Sequence, residues 1–547
     1  MGGRRLAALL SVVVITFAQA GSAGEVPAGR HHVEVSGFVD GLAIAPTEDS
    51  RGQHPQGLAN LRFDGEVTPN LRGHLELRGR VGGPYDRDDA VAHQGVYNLV
   101  HEFQQYSPAL EVPEAYARLL LGRLDARVGI QRFAWGKLDG VPPTDVLNPR
   151  DFHDPIVTDA EEAKIGIPAL QLAYNAPDVA RFGIEQPRAA LVYAPLAVPS
   201  RLPRIGERWF PQTLTPTKIT LNDDDLELFL ERAITRRCRR KTNKPRDPFC
   251  DPPVDVDVVS SVRITPTLRT ANRRPPLRFA EGGIGGRLGW TWRAMDWTVY
   301  HYSGPETGPN ADLDSVVSTP SLGVAPSPRE VDLSHLRVDI ALRQTHTVVH
   351  MTGFDWSASL GGATVRTEAA FFQDRPYLRI ARDLVSRDSL RHLRLSGSFL
   401  DQALGKNGCS AKRPCRGAVD VGPLFPRLDS IEWGAGVDYL IYDVFALLQV
   451  NQSVLRDDAP RLVVSDPETR VTVVVRRRFL VDRLEVEVRS AVTLERSSGL
   501  VFPRVSYQLT DGLRVRVGYL AISGTRDSLI GEFRQNDEFV FQLRYSF

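Results

Sequence analysis

Residues 60–81 read Asn-Leu-Arg-Phe-Asp-Gly-Glu-Val-Thr-Pro-Asn-Leu-Arg-Gly-His-Leu-Glu-Leu-Arg-Gly-Arg-Val. Asn60, Arg62, Asp64 and Glu66 alternate with Leu61, Phe63, Gly65 and Val67. Thr68-Pro69-Asn70 makes a tight turn, and Arg72, His74, Glu76, Arg78 and Arg80 then alternate with Leu71, Leu75, Leu77 and Val81, with Gly73 and Gly79 between them. A strand sends successive side chains to opposite faces, so this period of two builds a hairpin with one charged and one apolar face.

The same period runs to the end of the chain. Glu485, Glu487, Arg489 and Thr493 oppose Leu484, Val486, Val488, Val492 and Leu494, while Arg504, Ser506 and Gln508 oppose Val505, Tyr507 and Leu509. Phe539, Phe541, Leu543, Tyr545 and Phe547 alternate with Glu538, Val540, Gln542, Arg544 and Ser546. This ending, with Tyr545 and Phe547, resembles the assembly signal of outer-membrane barrels. Tight turns at 68–70, 122–124, 175–178, 294–296, 361–362, 442–443, 481–483 and 510–512 separate nine longer connections. The pattern predicts an all-β fold: a transmembrane, antiparallel, up-and-down β-barrel of eighteen strands, with sixteen as the alternative count. Strict alternation of short and long connections argues against a soluble sandwich, whose connections are short at both ends. The short turns would be periplasmic, and the long outer loops are expected at 82–111, 135–164, 197–279, 304–345 and 374–429. Trp290, Trp292, Trp297, Trp433, Tyr439, Tyr507, Tyr519 and Tyr545 suit interfacial aromatic girdles.

Residues 1–20 read as a cleaved signal peptide: Arg4 and Arg5, an apolar run at 6–17, then Ala18-Gln19-Ala20. The run is too short to cross about 30 Å of hydrocarbon as a helix, and no later segment does so. Residues 21–31 read as a short periplasmic segment and 32–547 as a single barrel in the Gram-negative outer membrane. Outer-membrane lipid, lipopolysaccharide and the barrel-assembly machinery are the partners this address implies. A net charge of +1 gives no reason to expect nucleic acid. Cys238 with Cys250, and Cys409 with Cys415, form two local pairs that read as loop disulfides in an exported protein. No histidine at ligand spacing accompanies them, so a zinc site is the weaker reading.

Two loops stand out. In 197–279, Asn222 opens a predicted helix with Asp223, Asp224 and Asp225 in its first turn and Arg236 and Arg237 at its end. Arg239, Arg240, Lys241, Lys244 and Arg246 follow, read as a solvated, disulfide-tied run rather than a site for phosphate. The loop after the fifth predicted strand, 131–151, mixes proline, glycine, apolar and charged residues densely enough to imply an ordered fold, and continues into Asp159, Glu161 and Glu162. Trp135, Lys137, Asp139, Asp145, Asn148, Arg150 and Asp151 are its candidate constriction residues. Entry into the lumen and packing on the rim are equally open here.

At this loop the chain resembles a large family of proteobacterial outer-membrane barrels of unassigned function, related to porins and alginate-export channels. Gly129-x-Gln131, Trp135-Gly136, Asp145-Val146-Leu147-Asn148-Pro149, Asp296-Trp297 and Gly436-x-Asp438 carry the resemblance. It implies a barrel that serves as the outer-membrane component of an export system, partnered with an inner-membrane exporter of lipidic or hydrophobic compounds. It implies no cofactor and no catalytic residue.

Four functions compete. A channel or porin-like pore leads, because an eighteen-strand barrel encloses water unless something fills it. Its candidate lumen-lining residues are Arg62, Asp64, Glu66, Arg72, Glu76, Arg78, Asp125, Arg127, Arg366, Glu368, Glu485, Glu487, Arg489, Arg514 and Arg516, and their mixed signs predict a transverse field without ion selectivity. A non-conducting structural or adhesive scaffold is the alternative. A plugged receptor is disfavoured because the first predicted strand, 33–40, follows the cleavage site closely. An enzyme is not expected, since no Gly-x-Ser-x-Gly elbow occurs.

Overall fold

The computed structural model describes residues 24–28, 31–47, 55–82, 109–140, 142–156, 159–198, 282–308, 347–380, 423–456 and 461–547, with shorter stretches in the remaining connections. The predicted signal peptide, the predicted helix from Asn222, the basic run that follows it, Cys238, Cys250 and Cys409 lie outside the described residues. Cys415 begins a short strand, Cys415–Asp420, of which only the backbone is described, so neither disulfide is tested.

Eighteen strands form one closed antiparallel barrel. The first nine are β1 His31–Pro46, β2 Gln56–Thr68, β3 Leu71–Gly82, β4 Ala109–Leu121, β5 Leu124–Gln131, β6 Ile167–Asn175, β7 Ile184–Ala194, β8 Gly283–Trp292 and β9 Met295–Pro305. The second nine are β10 Val348–Leu360, β11 Ala363–Pro376, β12 Arg427–Ile441, β13 Val444–Leu455, β14 Glu468–Phe479, β15 Leu484–Thr493, β16 Ser498–Gln508, β17 Leu513–Ser523 and β18 Glu538–Ser546. Each strand pairs with its neighbours in the chain, and β18 closes the ring on β1 from Phe38↔Ser546 to Pro46↔Glu538. Ahead of β1, Gly24–Ala28 pairs antiparallel with His31–Val35. No helix among the described residues is long and apolar enough to cross a membrane.

All eight predicted turns occur at one end of the barrel. Gly361-Gly362 (φ 56° and 93°) and Tyr442-Asp443 (φ 44° and 65°) take the left-handed conformation that matches a two-residue hairpin to the twist of its strands. One turn is longer than expected: 176–183 folds a 3-10 turn at Ala180–Phe182 before β7. Strict alternation of loop length does not hold either. The connection 494–497 at the opposite end is as short as a turn, because β15 and β16 pair right up to Thr493↔Ser498.

Burial is inverted relative to a soluble protein. Val128 and Leu288 are each 59 % exposed on the outer face, while Glu76 and Asp355 are 0 % exposed on the inner one. An apolar exterior and a charged, mutually paired interior are what a barrel needs when its outer solvent is lipid. The inner face is not polar throughout, however. Val192, Met351 and Phe372 in β7, β10 and β11, and Phe502, Leu520 and Val540 in β16 to β18, take inward positions and are buried. They belong to two apolar clusters in which wall residues pack against loop residues, Phe133, Trp135 and Leu147 in one and Trp209 in the other.

Candidate functional site

The connection between β5 and β6, residues 132–166, lies inside the ring. Its tip touches the charged face of strands well around the barrel: Lys137 Nζ pairs with Asp355 Oδ1 of β10 at 3.0 Å, and Asp139 N donates to Gln449 Oε1 of β13 at 3.0 Å. Its later part reaches the other side, where Arg544 of β18 pairs with Glu162 at 2.9 Å and Arg80 of β3 with Asp151 at 3.1 Å. A segment that meets the inner face on both sides of a closed ring occupies the lumen.

Glu368 of β11 is the main anchor of the tip. Its carboxylate accepts from Thr144 N at 2.6 Å, Thr144 Oγ1 at 2.7 Å and Lys137 N at 3.0 Å. Arg366 reaches Lys137 O at 3.2 Å and Asp139 at 3.0 Å, and also bonds Asp438. Gln449 Nε2 donates to Asp139 O at 3.0 Å, completing a reciprocal pair. Three inward glycines make the approach possible. A Cβ at Gly285, Gly353 or Gly434 would lie 2.7 Å from Trp135, 2.7 Å from Thr144 or 2.6 Å from Leu138. Glycine inside a strand commonly marks such close approach of another segment.

The candidate loop residues divide by role. Trp135 packs against Tyr300 of β9 at 5.2 Å between ring centres. Lys137 and Asp139 bind the wall. Asp145 and Asn148 instead hold the loop to itself: Asp145 pairs with Arg150 at 2.8 Å and Lys164 at 3.0 Å. Asn148 accepts from Phe133 N at 2.6 Å and donates to Ile165 O at 2.8 Å. Asp151 accepts from His153 Nδ1 at 2.6 Å and faces both Arg80 and Arg201. Burial alone would raise the Asp151 carboxyl, but His153, Arg80 and Arg201 hold it well below the usual carboxylate range. Asp154 sits beside it and accepts from Gln56 at 2.9 Å, and burial pushes its carboxyl up.

The candidate lumen residues all occupy the charged face and mostly pair along it. Glu76 meets Arg62 at 3.6 Å and Arg78 at 3.2 Å; Asp64 meets His74 at 2.7 Å; Glu66 meets Arg72 at 4.0 Å. Asp125 holds Arg118 at 2.8 Å and Arg127 at 3.2 Å. On β14 to β17, Glu485 pairs with Arg478 at 3.0 Å, and Glu487 is shared by Arg489, Arg504 at 2.7 Å and Arg476 at 3.9 Å. Arg514 and Arg516 reach only neutral partners among the described contacts, Gln508 at 2.8 Å and Ser506 at 3.3 Å. Arg470, Arg476, Arg478, Arg489, Arg504, Arg514 and Arg516 thus outnumber Glu468, Glu485 and Glu487 on that stretch of wall, which is basic where balance was expected.

Several residues at the heart of this arrangement carry no signal as single letters. Arg132 bonds Glu76 at 2.5 Å and Glu114 at 2.9 Å. His74, Glu76 and Glu114 are close enough to hold a cation, but the Arg132 guanidinium occupies the space between the two carboxylates. Arg201, from the connection after β7, bonds Glu111 of β4 as well as Asp151. The inward glycines, by contrast, could have been found by extending the period of two through β8, β10 and β12.

No protein-family model matches the chain. No curated protein matches it either. Among solved structures it is similar to Acinetobacter baumannii OccAB4, at 10% identity and TM-score 0.42, covering 94% of this chain and 98% of that one. It is also similar to Pseudomonas aeruginosa OccK3 (9% identity, TM-score 0.40, 94% and 95% covered). Salmonella typhi OmpF, solved in complex with daunomycin, is a further likeness at 9% identity and TM-score 0.36, with 96% and 100% covered. Similarity at this level leaves the function to be argued from the chain's own fold and lumen.

Proposed function

We propose that the chain is an outer-membrane channel that passes small polar solutes, anions in preference, through a lumen narrowed by the loop 132–166. One observation carries the reading: an ordered loop crosses a charged lumen and is bonded to its wall through Glu368, Asp355 and Gln449. On this reading solute passes between that loop and the wall, beside the guanidinium excess on β14 to β17. In such a passage the positive wall raises local anion concentration, an effect that salt screens over about 8 Å at physiological ionic strength. A cleaved signal peptide, insertion by the barrel-assembly machinery and contact with lipopolysaccharide follow from this reading. Service as the outer-membrane component of an export system is a narrower version of it.

The test is reconstitution of purified protein in a planar bilayer. Discrete conductance steps, with a reversal potential on the anion side in a salt gradient, support the proposal. Silence at several voltages favours the non-conducting scaffold, a reading encouraged by the two apolar clusters that loops build against the inner wall.

A further inference from the structure

Arg208-Trp209-Phe210 belong to the long connection after β7, a segment whose composition reads as a solvated outer loop. All three side chains are nonetheless buried. Trp209 joins Phe502, Leu520, Ile522 and Val540, and its ring lies 5.3 Å from that of Phe533. Arg208 pairs with Glu538 at 3.0 Å, and its carbonyl accepts from Asn536 Nδ2 at 2.7 Å. These partners sit on β16 to β18 and the connection before β18. From β7, strand β17 is eight strands away by the shorter way round an eighteen-strand ring, so it lies almost diametrically opposite.

The seat is specific. Inward positions nearer the turn end of these strands carry Arg504, Arg514, Arg516, Gln542 and Arg544, whereas Phe502, Leu520, Ile522 and Val540 are apolar only where Trp209 covers them. Without that cover they would face the water of the lumen, and Glu538 would be a buried charge without its guanidinium. The same connection is tied to the first loop nearer its start: Arg201 N donates to Arg150 O and Phe152 N to Arg201 O, each at 2.9 Å.

We infer that Arg208 and Trp209 form a clasp that closes the mouth of the lumen on the β16 to β18 side and sets, together with the loop 132–166, the size of solute admitted. The inference rests on the channel reading and adds a second, separable filter element to it. Arg208 and Trp209 are positioning residues: they seat their part of the connection on the β16 to β18 wall and need not touch the solute.

The experiment measures uptake of neutral sugars of increasing size into liposomes carrying wild type, W209A, R208E and the exchange R208E/E538R, each checked for heat-modifiable mobility as a folded barrel. Loss of a buried pair is severe enough that R208E and W209A are expected to admit larger sugars about tenfold faster or more, with the exchange returning toward wild type. Labelling of L520C by an impermeant maleimide, above the wild-type background, reads the clasp without any flux, because Leu520 is buried in the cluster that Trp209 joins. It should be slow in L520C alone and fast in R208E/L520C and W209A/L520C. Folded R208E and W209A barrels with wild-type sugar cut-offs overturn the inference, as does L520C that labels as fast as R208E/L520C. If no variant passes any sugar, the channel reading falls, while the labelling contrast still decides whether the clasp is seated.

Discussion

Replacing Glu368 by alanine should free the tip of the lumen loop while leaving the barrel intact. The carboxylate accepts Thr144 N at 2.6 Å, Thr144 Oγ1 at 2.7 Å, Lys137 N at 3.0 Å and, more weakly, Leu138 N at 3.4 Å. Truncation orphans three backbone N–H groups, each costing about 1–3 kcal/mol when it stays dry. Water can enter from the lumen, so the lower end applies, about 3 kcal/mol in total. At about 1.4 kcal/mol per tenfold, the docked tip becomes roughly 150-fold less favoured. Lys137 on Asp355 and the Asp139–Gln449 pair remain, so the tip should sample detached positions rather than leave permanently. E368Q keeps one acceptor oxygen for Thr144 but turns an NH2 toward another N–H, and should fall between. Single-channel recording reads the outcome: E368A is expected to give larger and noisier open steps than wild type, and E368Q intermediate ones. A folded E368A barrel with wild-type conductance and noise would refute the assignment of this carboxylate as the anchor.

Three further outcomes follow from the same geometry. G434V places a side chain where Leu138 already lies at 2.6 Å from the Cβ position; overpacking costs about 1–3 kcal/mol, seen as a lower temperature of heat-modifiable unfolding and an altered conductance. R489A/R516A removes two charges from the basic wall, and the reversal potential in a salt gradient should move toward cations; an unchanged potential would detach that wall from the conducting path. The pair Asp151 and Asp154 separates by pH. Asp151 is held low, so its contribution to the docked loop is present above the ordinary value of 3.8 and fades as pH falls through its depressed pKa. Asp154 is held high, so its ionisation opposes docking from 3.8 upward, until the raised folded value is passed and the cost levels off. D151N should therefore weaken protection of the 151–162 segment from protease at pH 7, whereas D154N should strengthen it at pH 7 and change nothing below 3.8. Equal protection of D154N and wild type at pH 7 would contradict the second half.

What could be read from the sequence was whatever repeats with the backbone. Period two is a property of the strand itself, so the alternation at Asn60–Val81 recurs in every hairpin, and the eight turns could be placed. The lumen is different, because its contacts join residues with no regular spacing. Glu368 meets Thr144 across the ring, Arg132 joins Glu76 to Glu114, and Arg208 finds Glu538 some three hundred residues later. The charged inward face was legible as a face, but not its interruptions. Phe502, Leu520 and Val540 break the polar series on β16 to β18, and Gly285, Gly353 and Gly434 leave gaps in it on β8, β10 and β12. Both departures have one cause. An inner wall facing only water has no use for buried apolar groups or for missing side chains, whereas a wall that seats another segment needs both. A break in the inward polar series of a barrel strand is therefore evidence for something docked inside: the glycine gaps and the apolar Met351 and Phe372 lie beneath the loop 132–166, and Phe502, Leu520 and Val540 lie beneath Trp209. That correspondence makes the lumen of this barrel a built interior, and it is why conductance should answer to Glu368 and Arg208, which hold loops to the wall, as strongly as to the inward arginines of β14 to β17.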